Sequence, residues 1–141
     1  EVCKARGLGM IDKHQILYEA LTAASTLATE IGSNCWSPIA PPNWDGNTSA
    51  IIFNQSGGGS HATGAKTTGI FDFKCYGDQD TYTKAREVYG LLFDRLQQLS
   101  ETTASGTIVM AQLVTDSQLP PEPDTQYKAH LATFEITFDE Q

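Results

Sequence analysis

Apolar residues recur at intervals of three and four along the first part of the chain, between Asp12 and Gly32. The residues of this stripe are Leu17, Leu21, Ala24, Ala28 and Ile31, and Ile16, Ala20 and Leu27 widen it. Such spacing places the side chains on one face of an α-helix. Asp12 can accept a hydrogen bond from the first turn, and Gly32 can adopt the positive φ that ends a helix. The pattern therefore predicts one amphipathic helix from Asp12 to Gly32.

The next part of the chain predicts strands. The proline-rich segment Asn34–Pro42 can supply only a short edge strand, because proline has no N–H to donate. Ala50–Asn54 has a continuous apolar centre, which is typical of a short buried strand. Gly69–Tyr76 alternates between apolar and polar side chains, so one face of this strand should be buried. We expect the last two segments to pair as an antiparallel hairpin.

Between these two strands, Gln55–Thr68 is rich in glycine, serine, threonine and alanine and has no large apolar residue. Such a segment buries too little surface to offset the entropy lost on ordering, which predicts a long mobile loop. We expect this loop to become ordered only against a neighbouring subunit. The residues predicted to form the partner interface are Gln55, Ser56, Gly58, Ser60, His61, Thr63 and Lys66 in the loop, and Asp116, Glu122 and Asp124 further along the chain.

The second half of the chain repeats the alternation of helix and strands. A helical apolar stripe, made of Ala85, Val88, Leu92, Leu96 and Leu99, follows a turn. Thr107–Val114 and His130–Phe138 read as strands, and Asp116–Gln126, with three prolines, reads as a loop. The order α-β-β-β-α-β-β predicts an α+β fold, with two helices packed on one face of a mostly antiparallel four- to five-stranded sheet. We assign residues 1–11 to an N-terminal extension and residues 12–141 to a single domain.

Composition and charge exclude several classes of protein. With a net charge of −8 and only nine Lys and Arg residues, the chain is poorly suited to gripping nucleic acid through its phosphates. The apolar stretches are far shorter than a bilayer requires, so we expect no contact with a membrane. Cys3, Cys35 and Cys75 are odd in number and widely separated, which disfavours a disulfide framework and a zinc site. We expect Cys35 and Cys75 to be buried small apolar residues.

A search for catalytic chemistry finds no convincing motif. The segment Gly59–Thr67 resembles a phosphate-binding loop, but Ala65 separates Gly64 from Lys66 and a strand follows it. Ser60 and His61 are adjacent in a loop predicted to be mobile, so they cannot hold a nucleophile and its base at a fixed distance.

Two further candidates have simple structural explanations. Asp78 and Asp80 lack the downstream glutamate of a calcium loop and more simply end a strand and cap a helix. His130 lies on the apolar side of its strand, where we expect a partly buried core residue. We therefore predict no enzyme activity and no catalytic, cofactor-binding or metal-binding residue. A small-ligand-binding or hydrolase domain remains the alternative from another class, and the mass in solution would discriminate it from a ring-forming protein.

Several segments resemble a known family of viral proteins. These are the opening helix and proline-rich stretch ILYEALTAASTLATEIGSNCWSPIAPP, the strand IIF with the small-residue loop after it, the strand-turn-helix GIFDFKCYGDQDTYTKAREVYGLLFDRL and the ending PPEPDTQYKAHLATFEITF. Their arrangement is similar to that of phage tail completion proteins, the tail terminator family, over Asp12 to Phe138. The family commonly has a tryptophan just after the Asp-Thr pair of the last loop, where this chain has Gln126 and Tyr127.

The resemblance implies a structural role in a virion. It implies a homo-hexameric ring that caps the finished tail tube, contacts the tube protein and joins the tube to the head-side connector or stopper protein. DNA would pass through the lumen without specific binding, and we expect that lumen to be acidic or neutral. The expected location is the tail or neck of the virion, after assembly in the host cytoplasm, with no cofactor. Another neck subunit or a tail-tube subunit is the alternative within this structural class.

Overall fold

The computed structural model describes residues 12–23, 25–37, 39–60, 66–78, 81–123 and 127–139, except for the side chains of residues 59 and 60. These residues form three helices and six strands. The helices are α1 (Lys13–Thr22), α2 (Thr26–Ile31) and α3 (Thr83–Leu96), and the strands are β1 (Cys35–Trp36), β2 (Ala50–Ser60), β3 (Lys66–Tyr76), β4 (Glu101–Thr102), β5 (Thr107–Gln118) and β6 (Ala129–Asp139). The strands form one sheet in the order β1-β2-β3-β6-β5-β4, which curls into a half-barrel.

The sheet confirms the α+β class and corrects its details. β2 and β3 pair antiparallel with Phe53 opposite Phe73, as the sequence predicts. β3 with β6, β6 with β5 and β5 with β4 are also antiparallel. β1 instead runs parallel to β2, with Cys35 opposite Ile51, because the loop after Trp36 returns the chain to the end of the sheet at which β1 began. The described sheet is therefore mixed and has six strands rather than four or five.

The single helix predicted from Asp12 to Gly32 is wrong, because the chain forms α1 and α2 instead. The break is at Ser25, whose backbone is extended and whose hydroxyl oxygen accepts a hydrogen bond from the Ala28 N–H at 3.1 Å. Serine is strongly preferred at the N-cap of a helix, so Ser25 begins a new helix. The apolar spacing alone predicts that the first helix continues through this position. The two predicted ends are confirmed, since Asp12 caps α1 and Gly32 ends α2 with a φ of 60°.

The main hydrophobic core lies between the helices and one face of the sheet. Five phenylalanines form the sheet side of this core, and each is almost fully buried: Phe53, Phe71, Phe73, Phe134 and Phe138. The helices contribute fully buried leucines, which are Leu17, Leu21, Leu92 and Leu96. Because the helices cover this face of the sheet, they leave its opposite face uncovered.

The mobile loop predicted over Gln55–Thr68 is wrong in its described part. β2 extends to Ser60 and β3 begins at Lys66, and the two strands remain paired up to Ser60 opposite Thr67. Strands pair through backbone hydrogen bonds, which do not require apolar side chains. β3 is also paired with β6 on its other side, as far as Lys66 opposite Asp139, and this pairing supports the strand. The described residues of this segment therefore belong to the far part of a long hairpin. His61 and Thr63 lie outside the described residues.

Candidate interaction surface

An open groove lies on the face of the sheet that the helices leave uncovered. Its volume is about 630 Å³. β2, β3 and β6 form its floor, and the loops after β1 and before β6 form its walls. The lining residues are Ile39, Ala40, Pro41, Pro42, Trp44, Ile52, Asn54, Asp72, Lys74, Tyr76, Leu119, Glu122, Tyr127 and Leu131. We refer to this feature as the open-face groove.

Aromatic rings hold the two walls of the groove together. The centroid of the Trp44 ring lies 5.4 Å from that of Trp36, 5.1 Å from that of Tyr76 and 5.4 Å from that of Tyr127. Tilted and edge-to-face pairs at these distances are stabilising. Tyr127 therefore places an aromatic ring at the end of the loop before β6. Gly46 lies beneath the Tyr127 ring with a φ of 75°, a conformation that other residues rarely adopt.

A few polar contacts fix the side chains in and around the groove. The Tyr76 hydroxyl donates a hydrogen bond to the Glu122 carboxylate at 2.8 Å. Burial, followed by this carboxylate, raises the pKa of Tyr76 well above its ordinary value, so the phenol stays protonated and remains a donor. Asp72 accepts a hydrogen bond from the Thr133 hydroxyl at 2.7 Å. An apolar groove with a few fixed polar groups is typical of a site that binds another molecule.

The predicted interface residues lie in three separate places on the chain. Gln55, Ser56, Gly58, Ser60 and Lys66 are strand residues at the far end of the β2–β3 hairpin. Glu122 lines the open-face groove. Asp116 lies on β5 and contacts His130, on the side of the sheet that the helices cover. Asp124 lies outside the described residues. Within one chain, the predicted residues therefore do not form a continuous surface.

Sequence reasoning missed the open-face groove. Two of its aromatic residues, Trp44 and Tyr127, come from loops that were recognised only by their composition, and a third, Tyr76, ends β3. Aromatic residues next to prolines in both loops were the available signal, but nothing in the sequence shows that the two loops face each other.

Among the residues that the structure describes, the nearest approach to a catalytic constellation is a cysteine, a histidine and an aspartate around β6. Cys75 lies opposite His130 in the β3–β6 pair, and His130 Nε2 is 3.3 Å from the Asp116 carboxylate. The Tyr89 ring packs against the His130 ring, with centroids 4.5 Å apart. Burial raises the pKa of the fully buried Cys75 thiol far above neutral pH, so the nucleophilic thiolate does not form and substrate cannot reach it. His130 is a buried core residue, as the sequence predicts.

Within the described ranges, no group of three or more His, Cys, Asp or Glu side chains could hold a metal ion. None of the helices described above is long and apolar enough to cross a membrane.

Comparison with known proteins gives a likeness in fold. No family profile and no curated protein matches the sequence. Among solved structures, the chain is similar to one described as the virion of a native gene transfer agent particle, with a TM-score of 0.71 and 16% sequence identity. The match covers 90% of this chain and 94% of that chain. The two chains therefore share an α+β fold over almost their whole lengths.

Proposed function

We propose that this protein is a structural subunit of a phage-like virion. The observation that carries the proposal is the similarity to a chain of a gene transfer agent virion, which spans nearly all of both chains. A likeness over such a span reflects a common architecture rather than one shared hairpin or helix. The fully buried Cys75 thiol, with its raised pKa, offers no accessible nucleophile to the hydrolase alternative.

Within that class, we assign the protein to the tail terminators. Its sequence resembles that family from Asp12 to Phe138, independently of the likeness in fold. Six copies would form a ring that caps the tail tube and joins it to the head-side connector or stopper protein. The open-face groove offers each copy a preformed surface for contact with such a neighbour. A tail-tube subunit or another neck subunit is the second candidate, because the same fold match supports it.

The channel of the ring should be acidic or neutral. Six copies at −8 each would carry a formal charge of −48, which repels the phosphates of passing DNA. We expect an image reconstruction of the particle to show a lumen in which carboxylates equal or outnumber cations, with no ordered contact to DNA. A lumen lined mainly by Lys4, Arg6, Lys13, Lys66, Lys74 or Arg95 would contradict this prediction.

The assignment can be tested by mass and by position. Native mass spectrometry of the purified chain, alone and with the tail-tube protein, should show a closed ring, most simply of six copies. Labelled protein should appear in electron micrographs at the head-proximal end of the tail. A monomer under both conditions would contradict the ring, and label along the whole tube would favour the tail-tube alternative.

A further inference from the structure

β5 has an open edge over its second half. β4 pairs with β5 only at Thr107 and Ile108. Further along, two glutamines after α3 form hydrogen bonds with backbone groups of β5. The Gln97 side chain accepts one from the Leu113 N–H at 2.9 Å, and the Gln98 N–H donates one to the Ala111 carbonyl at 2.7 Å. Along Val114–Gln118, no described residue forms a strand on the outer side. All five side chains of this segment are exposed, and Val114 is 58% exposed.

β2 has an open edge toward the other end of the strand order, away from β5. β1 pairs with β2 only at Ile51 and Ile52. Along Gln55–Ser60, none of the residues that the structure describes forms a strand on the outer side. This edge contains a bulge at Ser56, just as the β5 edge contains one at Val114, and both bulge residues are exposed.

Apart from one bulge on each edge and the inward-directed Asp116, both edges lack the features that normally prevent pairing with another chain. Exposed edge strands of soluble proteins usually carry lysine, other charges or proline. Gln55–Ser60 has neither a charge nor a proline, and the only charge in Val114–Gln118 is that of Asp116. The Asp116 carboxylate is directed to His130, on the helix-covered side of the sheet. The two edges are therefore chemically suited to being covered by a strand.

We propose that the β5 edge at Val114–Gln118 of one copy pairs with the β2 edge at Gln55–Ser60 of the next copy. Because the two edges lie on opposite sides of one sheet, the contact is heterologous, and repeating it continues the sheet from copy to copy until a ring closes. The partner is a second copy of this chain, and the inference rests on the proposed function for the ring itself. The contact brings Asp116 to Gln55, Ser56, Gly58 and Ser60, which are separate within one chain.

The test places a lysine on either edge, with the exposed helix residue Thr29 as a matched control position. Val114→Lys and Ser56→Lys each add a charge that the paired strands would bury, which should raise the dissociation constant of the ring at least about tenfold. Thr29→Lys adds the same charge on α2 and should assemble like the wild type. Circular dichroism should show melting temperatures within a few degrees of one another, because all three positions are exposed in the single chain.

Mixing the two edge variants gives a sharper result. V114K retains an intact β2 edge and S56K retains an intact β5 edge, so the mixture should form a one-to-one dimer that grows no further. Native mass spectrometry separates this dimer from the monomers and from the ring. Rings in either variant at the wild-type concentration, or a complete ring in the mixture, would overturn the proposed contact.

Chemical cross-linking covers the case in which the wild-type chain is monomeric alone. In a Cys3→Ser background, Ser56→Cys and Ser117→Cys in the same chain should give a ladder of oligomers with a short bismaleimide, because Cys35 and Cys75 are buried. Either cysteine alone should give no ladder. Rings without a ladder would refute the edge contact and leave the proposed function standing. A ladder from a chain that never joins tails would refute the function and leave the contact standing. Monomers without a ladder would refute both.

Discussion

Replacing Phe73 with alanine should lower the free energy of unfolding by about 3–5 kcal/mol, a large share of the 5–15 kcal/mol typical of a domain. Phe73 lies in a central strand, is fully buried and packs against other phenylalanines on both sides. Its ring centroid is 5.8 Å from that of Phe53 and 5.7 Å from that of Phe134. The substitution removes these contacts and leaves a cavity that the rigid sheet cannot close. Urea denaturation followed by circular dichroism measures the loss.

The adjacent Lys74 provides a matched control, because it lies on the same strand but its side chain is exposed on the open face. Lys74→Ala should change the free energy of unfolding by no more than about 0.5 kcal/mol. A loss below about 1.5 kcal/mol for the Phe73 variant, or equal losses for both variants, would show that the phenylalanine cluster does not form the core.

Replacing Gly46 with alanine should cost about 2 kcal/mol or more and should disturb the wall of the open-face groove. Two effects add, because the backbone at Gly46 has a φ of 75° and because a Cβ at this position would overlap the Tyr127 ring. A movement of the Tyr127 ring away from Gly46 would disturb its contact with Trp44. Urea denaturation gives the free energy, and a shift of tryptophan fluorescence in the folded state reports the displaced ring.

Gly90→Ala is the control for the loss of a glycine. Gly90 lies within α3, and nothing lies within 4 Å of the place where its Cβ would stand. Alanine should therefore stabilise the protein by about 0.5–1 kcal/mol, through the better helix propensity of alanine. If the Gly46 variant were as stable as the wild type and kept its fluorescence, the close packing of Tyr127 over Gly46 would be wrong.

The predictions from sequence were best where one segment carries its own signal. The alternation in Gly69–Tyr76 identified a strand and its buried face, and the apolar stripe identified α3 to within its last turn. Leu99 lies just beyond α3 but still packs against the core. The apolar stripe could not show the break between α1 and α2, because the apolar spacing continues across the break. Only the backbone changes there, at the Ser25 cap.

Sequence reasoning failed where neighbours determine the structure. The composition of Gln55–Thr68 is that of a loop, yet its described residues are strands, because β3 provides a paired template for β2. Of the candidate site, only Glu122 was identified as an interface residue, since the groove depends on two loops that meet across the sheet. The partner assignments of the interface residues stay predictions until the ring is tested.

The two buried cysteines bear on how the core of the fold responds to oxidants. Burial raises the pKa of Cys35 to about 12, and that of Cys75 is raised further. Oxidation to sulfenic acid or a mixed disulfide proceeds through the thiolate and needs access to the sulfur. Because both thiols are buried and their pKa values are raised, we expect this part of the protein to pass from a reducing solution to air or peroxide without covalent change. A core that folds with reduced cysteines in a reducing solution should therefore keep them reduced in an oxidising one.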